Sequence, residues 1–353
     1  MPRTRHTDRH DAGRSFVQRL ARGASAAAAA GVALLGTTAV HAADPALLPK
    51  EAEVKKARDD KQPEGWSPFL QLSANLAVAG SSNAIGQPDG HAVTVGLNIL
   101  GRLDYLMGKW DWRNTLKLNE AFTRTPVVDA FVKSGDQLSL ESVLYWNLTD
   151  WAGPFASFKL DTSVFPGVDV RASAVDYSVG GTIVANDTTH HRLAGAFEPL
   201  ALKQALGAYL RPISTKPIEV RVKAGFGAAE TFADDVEVLT DDAATAGVVE
   251  LGVLKDSIQA GVVVGVEAKG EFDKGRLTYA AHAEVMLPFV NDDPADRDAA
   301  ELANVDIGAK LGVKLVEWAS LDYEVKLVRQ PQLLDEWQFQ HGLLLTFSYT
   351  AID

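Results

Sequence analysis

Charged residues recur at intervals of two along much of this chain. Arg102 and Asp104, Lys159 and Asp161, Arg221 and Lys223, Glu267 and Lys269, and Glu324 and Lys326 are all two apart. Arg113 and Lys117, like Lys310 and Lys314, are four apart, and Glu141 falls in the same rhythm. On a β-strand such spacings put both side chains on one face. A face of this kind can pair acids with bases, hold ions, or line a wet passage. With Glu219, Glu284, Asp306 and Asp322 added, the set holds ten bases and nine acids. That balance argues against a strongly ion-selective pore.

Other chemistry is sparsely represented. A surface lipid hydrolase needs a Ser and a His on one wall; Ser257 and His282 (with Glu284) stand on neighbouring strand segments, and nothing in their spacing matches their heights. His190 and His191 are adjacent, so in a strand they point opposite ways, a poor start for a metal site. Two loops are acidic, one with Asp234, Asp235, Glu237, Asp241 and Asp242, the other with Asp292, Asp293, Asp296 and Asp298. Carboxylates bind divalent cations, but neither loop has the spacing of a defined calcium loop, and solvated loops are the simpler reading. No catalytic residue, cofactor or metal ligand is assigned. There is no cysteine, so neither a disulfide nor a lipoprotein anchor is available.

The elements that must position these charges are strands. Val93, Val95, Leu97 and Ile99 alternate with Thr94, Gly96 and Asn98; Ile307 through Leu315 alternate with Asp306 through Lys314. Twelve segments read this way: 69–79, 91–107, 110–124, 135–149, 154–165, 199–211, 217–230, 257–272, 275–289, 302–317, 319–329 and 337–349. The stretch 199–211 is the weakest, since Lys203 to Leu206 also suits a helical turn. Connections alternate between short turns (108–109, 150–153, 212–216, 273–274, 317–318) and longer loops (80–90, 125–134, 166–198, 230–256, 290–301, 330–336). Transmembrane β-barrels sort their connections so, with short periplasmic turns and long outer loops. The expected fold is therefore all-β, an antiparallel transmembrane barrel of about 12 strands, with 10 or 14 as alternatives.

Composition fits. Apolar residues make up 46% of the 353, mean hydropathy is −0.03, and no run after residue 42 approaches the roughly 18 apolar residues of a spanning helix. The N-terminus reads as an export signal. Six arginines between Arg3 and Arg22 precede an Ala-rich stretch that ends at Val40-His41-Ala42, which sets cleavage between Ala42 and Ala43. Residues 1–42 are then a signal peptide, 43–66 a charged periplasmic lead-in and 67–353 the barrel. The signal region holds six Arg and two Asp, a net +4, so its removal takes the chain from −12 to about −16. Such acidity argues against nucleic acid as a partner.

Two readings of the polar faces stay open, because mid-strand charges suit bulk water or a wet lumen equally. Trp110, Trp112, Trp146, Trp151, Trp318 and Trp337 fall near strand ends, where interfacial girdles lie; ordinary core tryptophan is the alternative. The last strand, Gln340 to Phe347, carries Gly342 and a near-terminal aromatic, Phe347. This resembles the signal that outer-membrane barrels present to their assembly machinery, except that six residues follow the aromatic.

Lys109-Trp110-Asp111-Trp112-Arg113-Asn114, Val132 to Leu138, Leu140-Glu141-Ser142, Gly153-Pro154-Phe155 and Thr162 to Gly167 together resemble a family of uncharacterised bacterial outer-membrane barrels, catalogued as a domain of unknown function. Ala196 to Pro199 and Leu206-Gly207 extend the likeness. The resemblance implies barrel architecture and outer-membrane localisation and carries no activity. The expected partners are outer-membrane lipid, lipopolysaccharide and the barrel-assembly machinery. The expected role is a narrow, weakly selective diffusion channel, since twelve strands enclose more space than eight, which side chains alone fill. Bases lead on some strands and acids on others, which leans toward a passage; bases and acids interdigitated at matching heights would instead cross-link and close the lumen. A side-chain-filled structural or adhesive barrel, a surface lipid hydrolase and a soluble periplasmic β-protein are the alternatives.

Overall fold

The computed structural model describes residues 64–81, 90–128, 130–240, 245, 247–293, 295 and 297–352. The signal region, the Ala42–Ala43 cleavage point and nearly all of the lead-in lie outside the described residues, as do Asp241, Asp242 and Asp296.

Sixteen strands form: β1 (Gly65–Ser81), β2 (Gly90–Met107), β3 (Trp110–Arg124), β4 (Val132–Trp146), β5 (Ala152–Thr162), β6 (Gly167–Val179), β7 (Thr182–Ala194), β8 (Leu200–Ser214), β9 (Glu219–Phe232), β10 (Glu237–Leu239), β11 (Val248–Val253), β12 (Ser257–Phe272), β13 (Leu277–Asn291), β14 (Asn304–Val316), β15 (Ala319–Gln330) and β16 (Leu334–Ile352). Twelve of them close a fully antiparallel barrel in the order β1-β16-β15-β14-β13-β12-β9-β8-β5-β4-β3-β2. The segment 199–211 is strand β8, not helix. Among the described residues no helix is long and apolar enough to cross a membrane.

Each barrel strand has two unlike faces. On β1 and β2 the outward side chains include Leu72, Leu76, Val95 and Leu97, all exposed; between them Ser73, Asn75 and Asn98 face inward and hydrogen-bond across the strands. A period of two permits this and requires it of every neighbour, because directly opposed residues share a face. All seven tryptophans are exposed on the outer surface. At the short-turn end they pack on one another, Trp110 stacked on Trp146 at 5.5 Å and Trp66 tilted against Tyr105 at 4.7 Å.

Backbones approach closely where β8 pairs with β9. Gly207 faces Gly225 across one pairing, and a Cβ on Gly207 would fall 2.1 Å from the Ala224 carbonyl oxygen. Only glycine lets the backbones approach this closely.

Two of the expected long loops are not loops. The connection from β5 to β8 folds into the hairpin β6–β7, and that from β9 to β12 contributes β10 and β11. Together they make a separate four-stranded sheet in the order β10-β11-β6-β7, with β11 parallel to β6. Its core is Tyr177, Leu193, Val249 and Leu251. At its base Ala194, Ala233, Val236 and Leu254 pack with Leu333 from the β15–β16 connection. That connection is only residues 331–333, shorter than the seven-residue loop expected from the sequence.

Candidate functional site

The pairing register puts the charged residues singled out above onto the inward face. Arg102 and Asp104 come from β2, Arg113 and Lys117 from β3, Glu141 from β4, Lys159 and Asp161 from β5 and Arg221 and Lys223 from β9. Glu267 and Lys269 come from β12, Lys310 and Lys314 from β14 and Glu324 and Lys326 from β15. They are not segregated, and this corrects the expectation that bases and acids lead on separate strands. Asp104 stands directly opposite Arg113, Glu141 opposite Lys159, Arg221 opposite Glu267, Glu219 opposite Lys269 and Lys310 opposite Glu324. The register, which one sequence does not display, sets bases against acids at equal heights. Opposed Cβ atoms lie about 5 Å apart, so these pairs lie along the wall and neutralise it without bridging the lumen.

Contacts run both across neighbouring strands and along single strands. Lys223 Nζ is 2.8 Å from Glu267 Oε1, Lys310 Nζ 3.0 Å from Glu324 Oε1 and 3.8 Å from an Asp322 oxygen, and Lys159 Nζ 2.6 Å from Asp161 Oδ2. Arg113 pairs with Asp111 at 2.9 Å and Arg221 with Glu219 at 3.1 Å. On the β3–β9 wall, towards the short turns, the charges surround a cluster of Val143, Tyr145, Phe155 and Tyr209. Arg221 donates to the Tyr145 hydroxyl at 3.0 Å and its guanidinium lies 4.6 Å from that ring's centre; Arg113 lies 5.1 Å from it. Tyr209 donates to Asn147. This wall is thick with side chains.

The opposite wall differs. β16 and β1 present Gln340, Thr346, Ser348, Gln71, Ser73 and Asn75 inward, and no charged residue shares that face from Gln338 to Ile352 on β16 or from Gly65 to Ser81 on β1. Asn98 of β2 donates to Asn75 at 2.8 Å, and the Ser73 and Ser348 hydroxyls are 3.1 Å apart.

The remaining candidates are dispersed. Ser257 pairs with Thr231 at the long-loop end of β12, whereas His282 faces Glu267 ten positions along the strand, roughly 33 Å away at strand rise. His282 instead contacts Asp306 at 3.1 Å. His191 contacts Glu237 at 2.6 Å and stacks on Tyr177, while His190 is exposed and contacts Thr189. Asp292 accepts the Ile258 amide, Asp293 pairs with Arg297 at 2.7 Å, and Asp298 accepts the Ala300 and Glu301 amides. These acids fasten loops. Gly342 lies opposite Glu324, and Phe347 faces outward against Trp318 at 5.9 Å. The residues beyond Phe347 extend β16 against β1 as far as Ile352 opposite Leu70.

One cluster escaped the sequence reading. Asp136 accepts the Val164 and Phe165 amides at 2.7 and 2.8 Å and the Lys133 ammonium at 2.7 Å. Its signal was Glu120, an acid on the mostly apolar face of β3 directly opposite Asp136. Two segments of the family likeness, 132–138 and 162–167, therefore touch. Ser163 donates to the Glu198 carbonyl at 2.7 Å, which joins a third.

No protein-family model matches the chain, and no curated protein is similar to it in sequence. The resemblance drawn from residues 108–167 thus stands only as barrel architecture. Among solved structures the chain is similar to the translocator domain of the autotransporter NalP from Neisseria meningitidis, with 11% identity over 82% of this chain and 90% of that one and a TM-score of 0.37. It is also similar to an outer membrane channel from Pseudomonas putida F1, with 9% identity over 84% and 100% and a TM-score of 0.38. A TodX monoaromatic hydrocarbon channel mutant gives 10% identity over 85% and 93% and a TM-score of 0.33. The architecture rests on the strand pairing and not on these likenesses.

Proposed function

We propose that this chain is an outer-membrane diffusion channel, narrow and weakly selective. The observation that carries the reading is the polarity of the barrel wall. A soluble barrel hides its apolar face and wets its polar one; here leucine, valine and tryptophan are exposed all around the outside and the charges are inside. In water such an outer surface would drive aggregation. In hydrocarbon it is the solvated face. Membrane lipid and lipopolysaccharide are then its partners on that surface, and the assembly machinery reads the strand bearing Gly342 and Phe347. Export by a signal peptide cleaved between Ala42 and Ala43 belongs to the same proposal; a mature N-terminus at Ala43 by mass spectrometry is the expected result, and a retained Met1 would overturn that part.

The decisive experiment is single-channel conductance of the purified protein in a planar bilayer. Small, weakly selective steps are expected. Silence over many insertions, by protein that still migrates as a heat-modifiable barrel, would remove the channel. It would leave the second reading, a structural or adhesive barrel, which the separately cored outer sheet and the aromatic cluster inside the β3–β9 wall favour.

A further inference from the structure

We infer that the solute is a small, neutral, hydrogen-bonding molecule of the polyol or sugar class, and that it moves along the strip of uncharged polar side chains on β16, β1 and the Asn98 segment of β2, which Arg102 and Asp104 of β2 and Glu324 and Lys326 of β15 flank. The inference rests on the channel reading. Two observations carry it.

The first is the state of the charges. A charged solute entering a confined, partly desolvated passage loses hydration, and the wall must replace it. Many of the inward charges already face partners of opposite sign, as at Arg221–Glu267, Glu219–Lys269 and Lys310–Glu324, whereas Glu284 faces Asp306 and Lys159 faces Lys203 on one side. An incoming ion would have to compete with a partner set about 5 Å away by the register. The walls therefore carry little net field in spite of their many charges.

The second is the chemistry of the uncharged wall. Gln71, Ser73, Asn75, Asn98, Thr346 and Ser348 offer amides and hydroxyls only. Each amide has an acceptor oxygen and two donor hydrogens, and each hydroxyl both donates and accepts. The Asn98–Asn75 bond uses one donor and one acceptor of that pair and holds both amides in place. A solute rich in hydroxyls can exchange its water for such a ladder rung by rung, with no charge to neutralise. Gly96 lies opposite Asn75, and a Cβ there would come within 3.3 Å of the Asn75 amide nitrogen. The glycine thus leaves space beside the ladder that any other residue would fill.

The test is liposome swelling with the full-length mature protein, paired with bilayer conductance. Glucose or sorbitol should enter several times faster than gluconate or lysine. Asn98→Asp places one carboxylate on the ladder and should shift cation-over-anion permeability by about fivefold, the order of a single charge acting on an ion about 4 Å away through water. Lys269→Gln, on the far wall, should change swelling by neutral solutes less than Asn98→Asp does. Conductance without a preference for neutral solutes, or a stronger effect of Lys269→Gln than of Asn98→Asp, overturns this inference and leaves the channel standing. Absence of both swelling and conductance removes the channel and this inference together.

Discussion

In the barrel, Leu97, Val264 and Leu343 point out and are exposed, while Arg221 and Glu324 point in and are buried. In the outer sheet the order is reversed: Tyr177, Leu193, Val249 and Leu251 are buried, and Asn186 and Asp187 face the solvent. Both regions are β-sheet built by the same chain, the barrel wholly antiparallel and the outer sheet with one parallel pairing, and their faces differ in what lies beyond each. The sheet turns its apolar side to itself because water surrounds it. The barrel turns its apolar side away because hydrocarbon surrounds it in the proposed setting. The sheet also needs side-chain fastenings that the barrel does not. A barrel has no edges, whereas β7 and β10 are opposite edges of the sheet and are joined through His191 and Glu237 at 2.6 Å. Beneath them Asp169 accepts Arg171 at 2.6 Å and the Tyr177 hydroxyl at 2.9 Å.

The largest effect that sharpens this contrast is expected at Tyr177. Tyr177→Ala leaves a cavity at the centre of a small core and should destabilise the sheet by about 3–5 kcal/mol. Protease cleavage within 163–199 and 233–256 should then appear while the heat-modifiable gel shift of the barrel persists. If the barrel loses that shift as well, the two regions are one cooperative unit and the contrast is wrong.

A smaller effect separates the two outer surfaces. Leu97 and Val184 are both about half exposed, at 50% and 48%. Leu97→Arg should destabilise the protein refolded in lipid vesicles by about 2–4 kcal/mol, because the new charge would face hydrocarbon. Val184→Arg should change it by no more than about 0.5 kcal/mol, as on any water-facing surface. Urea titration of both variants in the same vesicles makes the comparison. Equal values would mean that Leu97 faces water too, and would bring down the membrane placement.

The barrel was legible in the sequence for the same reason that the sheet was not. Each barrel strand runs 11 residues or more and most keep their alternation over long stretches between bulges, so Val93 to Ile99 or Ile307 to Leu315 declare a face without knowledge of the partner. β6 begins as clearly, with Val168 and Val170, but its pairing with β7 slips at Val170/Val175 and again near Tyr177, and each slip breaks the period. Gly180-Gly181, both at positive φ, is a hairpin signal that was lost inside the long connection 166–198. β11, Val248–Val253, is a short apolar run that pairs in parallel with a strand seventy residues earlier, and no local pattern announces such a partner. The inward charges were readable one by one. Their opposition was not, because it depends on the offset between neighbouring strands.

The smallest effect concerns one proton in the sheet. Burial and the Asp169 carboxylate raise the Tyr177 hydroxyl above its ordinary value of 10, since ionisation would put a second negative charge beside the first. Below pH 10 the tyrosine holds its proton whether the sheet is folded or open, and its contribution is whole. Above pH 10 the opened sheet releases the proton while the folded sheet keeps it, so stability falls with each further step in pH until the folded value is reached. Hydrogen exchange at β6 and β11 amides, after correction for the intrinsic rate, should therefore show less protection as pH rises past 10. Tyr177→Phe removes one hydrogen bond to a charged acceptor, which should lower the protection of the sheet by about 1.5–3 kcal/mol at neutral pH. It should also abolish the alkaline decline, because no proton remains to be lost. A decline that persists unchanged in the phenylalanine variant would show that another group opens the sheet, and the buried Tyr177–Asp169 bond would then not be what sets it apart from the barrel beneath.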